Sequence, residues 1–161
     1  MTNLRIGNGY DVHALREGLL LVLGGVSIKH NKGLVAHSDG DVLTHALCDA
    51  ILGAAALGDI GLHFPDISPE YKDVDSMILL EKCVLLAAGK KFRIVNADCT
   101  IIAQSPKMQP YINRMRENLA RVMKTDMENV SVKATTTERL GFTGREEGIA
   151  ALATVLIEKE V

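Results

Sequence analysis

The chain contains no tryptophan and only three phenylalanines and three tyrosines, so aromatic residues make up 4% of its 161 positions. With a formal net charge of -2 and no long Lys/Arg run, it lacks the stacking platform and basic face of a nucleic-acid binder. No nucleic-acid partner is expected. No apolar run approaches the roughly 20 uncharged residues that span a bilayer, and Met1-Thr2-Asn3-Leu4-Arg5 lacks the basic, apolar, small-residue order of a signal peptide. A soluble, non-secreted protein without membrane association is expected. The cysteines, Cys48, Cys83 and Cys99, are odd in number, widely spaced and set among apolar neighbours, which predicts reduced core thiols rather than disulfides or zinc thiolates. What the chain does have is 47% apolar content, enough to bury a core in one domain spanning residues 1–161.

The sequence is organised around the acidic stretch from His37 to His45, which runs directly into its most apolar helical segment. Ser38 followed three residues later by Asp41 fits a capping box, placing the helix start at Ser38. His45 lies one turn beyond Asp41 on the same helical face. Ahead of it, Leu4 to Val12 reads as a strand that ends in Asp11-Val12-His13. In extended chain, residues i and i+2 point to one side about 6.6 Å apart, so Asp11 and His13 can converge on one ion. Added to His45 they form a three-ligand set suited to Zn²⁺, with a fourth position left open as in a catalytic site. Asp49, one turn past His45, suits either a carboxylate that orients the ligating imidazole or a solvated surface residue.

The remaining elements follow from periodicity and punctuation. Leu19 to Ile28 reads as a hairpin around Gly24-Gly25, or one bulged strand, and Lys29 to Val35 as a loop. Gly58 to Asp66 is a loop in which Asp59 suits substrate hydroxyls, while His63 fits an exposed position better than a fourth metal ligand. Ile67 to Asp75 is charged, turn-rich and expected to be mobile. Helices are predicted over Ser76 to Ala88 and from Pro110 to about Lys124, and strands over Phe92 to Gln104 and Val130 to Ala134. Ile149 to Ile157 is apolar at nearly every position and predicts a central strand covered on both sides. Between the last two strands, Thr135, Thr136 and Thr137 with Arg139, Arg145 and several glycines suit a phosphate cradle that presents Glu138 to a hard cation such as Mg²⁺; a polar surface loop is the alternative.

Six motifs in order carry a resemblance that covers Arg5 to Ile157: Gly-Tyr-Asp-Val-His, Ala-His-Ser-Asp-Gly-Asp, Gly-Asp-Ile-Gly, Phe-Pro-Asp, Ile-Ile-Ala-Gln-Ser-Pro-Lys-Met and Lys-Ala-Thr-Thr-Thr-Glu-Arg-Leu-Gly-Phe-Thr-Gly-Arg. In these the chain closely resembles the 2-C-methyl-D-erythritol 2,4-cyclodiphosphate synthase family. The resemblance implies a metal-dependent phosphorus-oxygen lyase of the non-mevalonate route to isoprenoids. Its reaction converts 4-diphosphocytidyl-2-C-methyl-D-erythritol 2-phosphate to the cyclic diphosphate and CMP by intramolecular phosphoryl transfer. It also implies an α+β fold with a mixed sheet backed by helices, a homotrimer with its sheets around the threefold axis, and active sites between subunits. The implied location is a bacterial cytoplasm or a plastid. A zinc phosphohydrolase, or a non-catalytic trimer binding cytidine nucleotides or isoprenoid diphosphates, are the alternatives.

Carried over by position, the resemblance makes Asp11, His13 and His45 the zinc ligands and Glu138 the ligand of a second divalent ion, Mg²⁺ or Mn²⁺. His37 and Thr136 take the catalytic role of transition-state stabilisation, and Ser38 contacts phosphate. Val12 falls within the substrate-contacting stretch Asp11 to His13. The methylerythritol pocket corresponds to Asp59, Ile60, Gly61, Phe64, Pro65, Asp66, Ile67 and Ser68. The cytidine and phosphate pocket corresponds to Ala103, Gln104, Ser105, Pro106, Lys107, Met108 and Gln109. It is completed by Thr135, Thr136, Thr137, Glu138, Phe142 and Arg145, largely supplied across the subunit boundary.

Overall fold

The computed structural model describes residues 3–65 and 69–160. Its frame is a five-stranded mixed sheet in the order β4-β1-β7-β5-β6, formed by β1 (Leu4–Glu17), β4 (Lys32–Leu34), β5 (Phe92–Ile102), β6 (Val130–Thr135) and β7 (Gly148–Lys159). Only β5 and β6 run parallel; the other neighbours are antiparallel. A separate hairpin, β2 (Leu21–Leu23) and β3 (Val26–Ile28), turns at Gly24-Gly25, both at positive φ, as a tight two-residue turn requires. The long helices are α1 (Val42–Ala54), α3 (Ser76–Gly89) and α4 (Ile112–Met123); two single-turn helices, α2 (Ile60–His63) and α5 (Gly141–Gly144), lie within loops. This is an α+β architecture with a mixed sheet backed by helices.

Strand alternation decides which face the helices cover. On β7, Ile149, Ala151, Ala153, Val155 and Ile157 are buried, whereas Leu152 is 45% exposed. The register pairs Leu152 with Tyr10 and Leu156 with Ile6, so the open face carries Leu4, Ile6, Tyr10 and Val12, with Ile6 72% exposed. The expectation of a final strand covered on both sides is therefore not met within one chain: β7 is central, but one of its faces is apolar and bare.

On the covered face the backbone of α1 lies directly on β1. A Cβ at Gly7 would stand 2.0 Å from the Ala50 carbonyl oxygen, and one at Gly9 would stand 1.9 Å from that of Ala46. Only glycine permits this approach. It sets α1, and with it His45, down on the middle of β1.

Several boundaries differ from the sequence reading. β1 runs on to Glu17 because Leu15 to Glu17 pair with β4, a strand inside the stretch expected to be a loop. Helix α1 begins at Val42, and its cap is Asp41 rather than Ser38. The fully buried Asp41 carboxylate accepts Thr44 N at 3.0 Å and Thr44 Oγ1 at 2.8 Å. It also accepts Gly24 N at 2.9 Å and Gly25 N at 2.8 Å, binding the hairpin turn to the helix start. From the far side Asn118 Nδ2 on α4 donates to the carbonyls of Gly24 and Gly25. Burial pushes the Asp41 carboxyl up against the lowering effect of its backbone donors. Pro69–Tyr71 form a 3₁₀ turn within the segment expected to be mobile, while Asp66, Ile67 and Ser68 lie outside the described residues. All three cysteines are free and buried, as expected.

Candidate metal centre and its pocket

Strand pleating brings Asp11 and His13 to the covered face in the second half of β1, and α1 places His45 against them. Asp11 Oδ2 lies 3.0 Å from His13 Nε2 and 3.1 Å from His45 Nδ1, and the two ring nitrogens are 3.0 Å apart. Among the described residues this is the cluster of His, Cys, Asp and Glu fit for a metal ion. In the metal-free site protons on the ring nitrogens make these contacts hydrogen bonds; with the facing nitrogens unprotonated, the lone pairs of all three atoms converge on one point that a cation can occupy. Their separations are slightly below the roughly 3.3 Å between ligand atoms around tetrahedral zinc at 2.0–2.1 Å. The donor set therefore fits zinc.

The electrostatics agree with a cation hole. Burial raises the Asp11 carboxyl, but hydrogen bonds and positive charge from His13 and His45 outweigh it and hold the group far below the ordinary carboxylate range. Burial lowers the basicity of His45, yet its bond to Asp11 and the charges of Asp41, Asp11 and Asp39 leave it raised. On the other side of its ring, His45 Nε2 lies 2.8 Å from Ser76 Oγ and 3.1 Å from Ser38 Oγ.

These groups open into a pocket of about 340 Å³ that also takes in His37, Ser38, Asp49, Ile60, Gly61 and Phe64. Much of the expected substrate set is thus gathered at one place. Val12 is not part of it, since alternation turns its side chain to the bare face of the sheet. Asp59 caps α2, accepting Leu62 N at 2.9 Å, beside rather than in the pocket wall. Asp49 is hydrogen-bonded to Ile60 N at 2.7 Å. It holds the loop rather than orienting the imidazole or lying free, and burial with the charges of Asp59 and Asp11 raises its pKa. His63 is no ligand: its Nε2 reaches the Leu57 carbonyl at 2.8 Å.

The second expected set sits elsewhere, where β5 and β6 end. Ala103 N donates to the Thr135 carbonyl, and Gln104 Oε1 accepts Arg139 N at 3.0 Å, joining the Ala103–Gln109 turn to the Thr135–Glu138 loop. Thr136 Oγ1 donates to Glu138 Oε1 at 2.8 Å, and Glu138 and Arg139 both have positive φ. Thr137 is engaged with Leu140 and Thr143, and Arg145 is paired with Glu147. Ser105, Pro106, Lys107 and Gln109 are at least partly accessible, but Ala103 and Met108 are buried and present at most their backbone to a ligand. Phe142 lies beside Gly148. No residue of this set lines the metal pocket. Sequence reasoning missed Ser76, which meets His45 from a distant segment with no spacing signal, and the role of Asp39, which lies in the same acidic stretch as His45 but reaches it only through Ser76.

The sequence profile of the YgbB family matches residues 4–158, nearly the whole chain. The chain belongs to the YgbB family. Two relatives named 2-C-methyl-D-erythritol 2,4-cyclodiphosphate synthase bear directly on this member. That of Thioalkalivibrio sulfidiphilus is 63% identical over 158 residues, covering 98% of this chain and 99% of the relative. That of Syntrophomonas wolfei is 57% identical over 156 residues, covering 97% and 99%. Among solved structures, IspF of Plasmodium falciparum in complex with CDP superposes with a TM-score of 0.87 at 36% identity, covering 100% of this chain and 99% of that one. The bifunctional IspDF of Campylobacter jejuni gives a TM-score of 0.95 at 45% identity; the match covers 99% of this chain and 43% of that longer one.

Proposed function

We infer that this YgbB-family chain is a metal-dependent lyase of isoprenoid biosynthesis, converting 4-diphosphocytidyl-2-C-methyl-D-erythritol 2-phosphate to 2-C-methyl-D-erythritol 2,4-cyclodiphosphate and CMP. The observation that carries this reading is the convergence of Asp11, His13 and His45 on one point of a pocket that also holds His37 and Ser38. In the reaction the 2-phosphate attacks the β-phosphorus of the same molecule. Two unit negative charges about 4 Å apart repel by roughly 4 kcal/mol at an effective dielectric near 20, so cations must offset the approach. Asp11, His13 and His45 would hold a zinc ion and Glu138 a Mg²⁺ or Mn²⁺, which would supply that charge and a Lewis acid.

The chain's own residues orient and polarise. The Ser38 hydroxyl, in the pocket wall beside the metal ligands, contacts phosphate, while His37 in the same pocket and Thr136 from the nucleotide side stabilise the charge that develops in the transition state. Asp59, Ile60, Gly61, Phe64 and Pro65, with Asp66, Ile67 and Ser68, hold the methylerythritol part. Asp49 fixes the backbone of that loop through Ile60. No protein nucleophile is needed, because the attack is intramolecular and gains from orientation.

The nucleotide set completes the site from a neighbouring subunit of a homotrimer. Its support is twofold: the nucleotide residues line no part of the metal pocket of their own chain, and the bare face of β1 and β7 is apolar enough to pack around a threefold axis. No helix among the described residues is long and apolar enough to cross a membrane. With bacterial relatives, the cytoplasm is the location we assign.

Incubation of the purified protein with substrate, Zn²⁺ and Mg²⁺, followed by phosphorus NMR, tests the reading. Cyclic diphosphate and CMP are expected. Inorganic phosphate as the product would instead make the chain a phosphohydrolase.

A further inference from the structure

We propose that Ser76 and Asp39 form a positioning relay behind His45 that fixes its proton on Nε2 and so turns the Nδ1 lone pair to the metal. The proposal rests on Asp11, His13 and His45 being the metal ligands. It follows from counting donors. Ser76 Oγ has one proton and lies 2.5 Å from Asp39 Oδ1, while Asp39 Oδ2 accepts Ser76 N at 3.1 Å. A carboxylate only accepts, so the serine proton points to Asp39. The Ser76 oxygen is then left as an acceptor 2.8 Å from His45 Nε2, which must be the protonated nitrogen. The opposite tautomer would set two lone pairs face to face at Ser76 and, although its Nδ1 proton could bond to Asp11 in the metal-free site, would place that proton where the ion must bind.

The relay is held from both ends. Ser76 is completely buried and is the first residue of α3. Asp39 donates its own N–H to the Val74 carbonyl and accepts Asp41 N at 3.1 Å, so the loop before α1 and the start of α3 are tied together around His45. Ser38 Oγ also lies near Nε2, at 3.1 Å. Its recorded partners are that ring nitrogen and, at 3.3 Å, Gly40 N, so no carboxylate fixes its direction. Ser38 thus remains available to substrate phosphate while Ser76 does the orienting.

The test compares Ser76→Ala, Asp39→Asn and Ser38→Ala with the parent by zinc affinity in chelator competition. Ring ¹⁵N–¹H correlation spectra of the metal-free proteins, at alkaline pH where imidazole is neutral, report the tautomer. Ser76→Ala should bind zinc about 10–100-fold more weakly, the range for partners that orient a metal ligand, and its His45 should show mixed tautomers. Asp39→Asn should weaken binding several-fold, because its amide oxygen still accepts the serine proton but without charge. Ser38→Ala should stay within about twofold of the parent on the same scale. A folded Ser76→Ala with unchanged affinity and Nε2 still protonated overturns the relay, as does a larger loss in Ser38→Ala than in Ser76→Ala. If Ser76→Ala does not fold, Asp39→Asn decides: parental affinity and parental tautomer refute the relay. Failure of the parent to bind zinc would instead overturn the ligand assignment beneath it.

Discussion

The metal corner and the Thr135–Glu147 segment are built to different standards. At the corner, the candidate ligands are fixed by packed secondary structure: Asp11 and His13 by the pleat of β1, and His45 by the close seat of α1 on β1, with Ser76 behind its ring. In the later segment the polar groups are bonded mostly to one another, half-buried Thr136 to exposed Glu138, Thr137 to buried Thr143, and exposed Arg145 to Glu147. Its tie to the side chain of Gln104 shapes its backbone and not its carboxylate. An ion held by three ligands needs sub-ångström placement, which a chain provides by burial. The nucleotide and second ion proposed for the later segment would meet a carboxylate, Glu138, that is exposed in the free chain.

Breaking each half separately should give opposite signatures. His45→Ala removes one of three ligands and should weaken zinc binding by more than the roughly 100-fold upper end seen for second-layer partners. Metal analysis of the purified variant reads this directly, and unchanged zinc content would refute the ligand set. Glu138→Gln should keep its zinc and lose about 100-fold or more in turnover, the scale of removing one electrostatic stabiliser, with partial recovery at high Mg²⁺ or Mn²⁺. Parental activity in that variant would remove Glu138 from the site.

Mixing sharpens the contrast further. Dissociated and reassembled together, inactive His45→Ala and Glu138→Gln chains should regain activity, because some interfaces pair an intact zinc half with an intact second-ion half. Co-assembly confirmed by mass spectrometry without any gain would mean that each site lies within one chain. The smallest expected effect is on stability. Asp41→Asn sets an amide N–H toward one of the backbone donors that its carboxylate now accepts, at a cost of about 1–3 kcal/mol. The shift in urea midpoint at unchanged slope measures it, and a smaller shift would mean that the hairpin turn relaxes around the change.

Local rules made part of this legible. The i, i+2 rule placed Asp11 and His13 correctly because a pleat depends on nothing outside the strand. The turn at Gly24-Gly25 and helix α3 were legible for the same reason. The capping box failed at Ser38 because the deciding donors, Gly24 N and Gly25 N, come from a hairpin some 16 residues away and draw in Asp41 instead. Helical spacing put Asp49 on the correct face, but its partner is a loop amide that the sequence does not announce. Ser76 meets His45 across 31 residues and two helices, a separation for which no motif exists. The bare face of β7 was hidden because it carries Leu152 and Leu156, as apolar as the residues on the covered face, so the alternation left little polarity signal.

Gly7 and Gly9 carry a thermodynamic consequence. With no side chain between β1 and α1, the gap between the elements is set by backbone atoms that have no rotamers to adjust. Configurational freedom that a site on mobile side chains surrenders when its ion arrives is here surrendered during folding. Calorimetric titration of the metal-free protein should therefore register proton release and dehydration of the ion, with little heat-capacity change, since no apolar surface remains to be covered at that step.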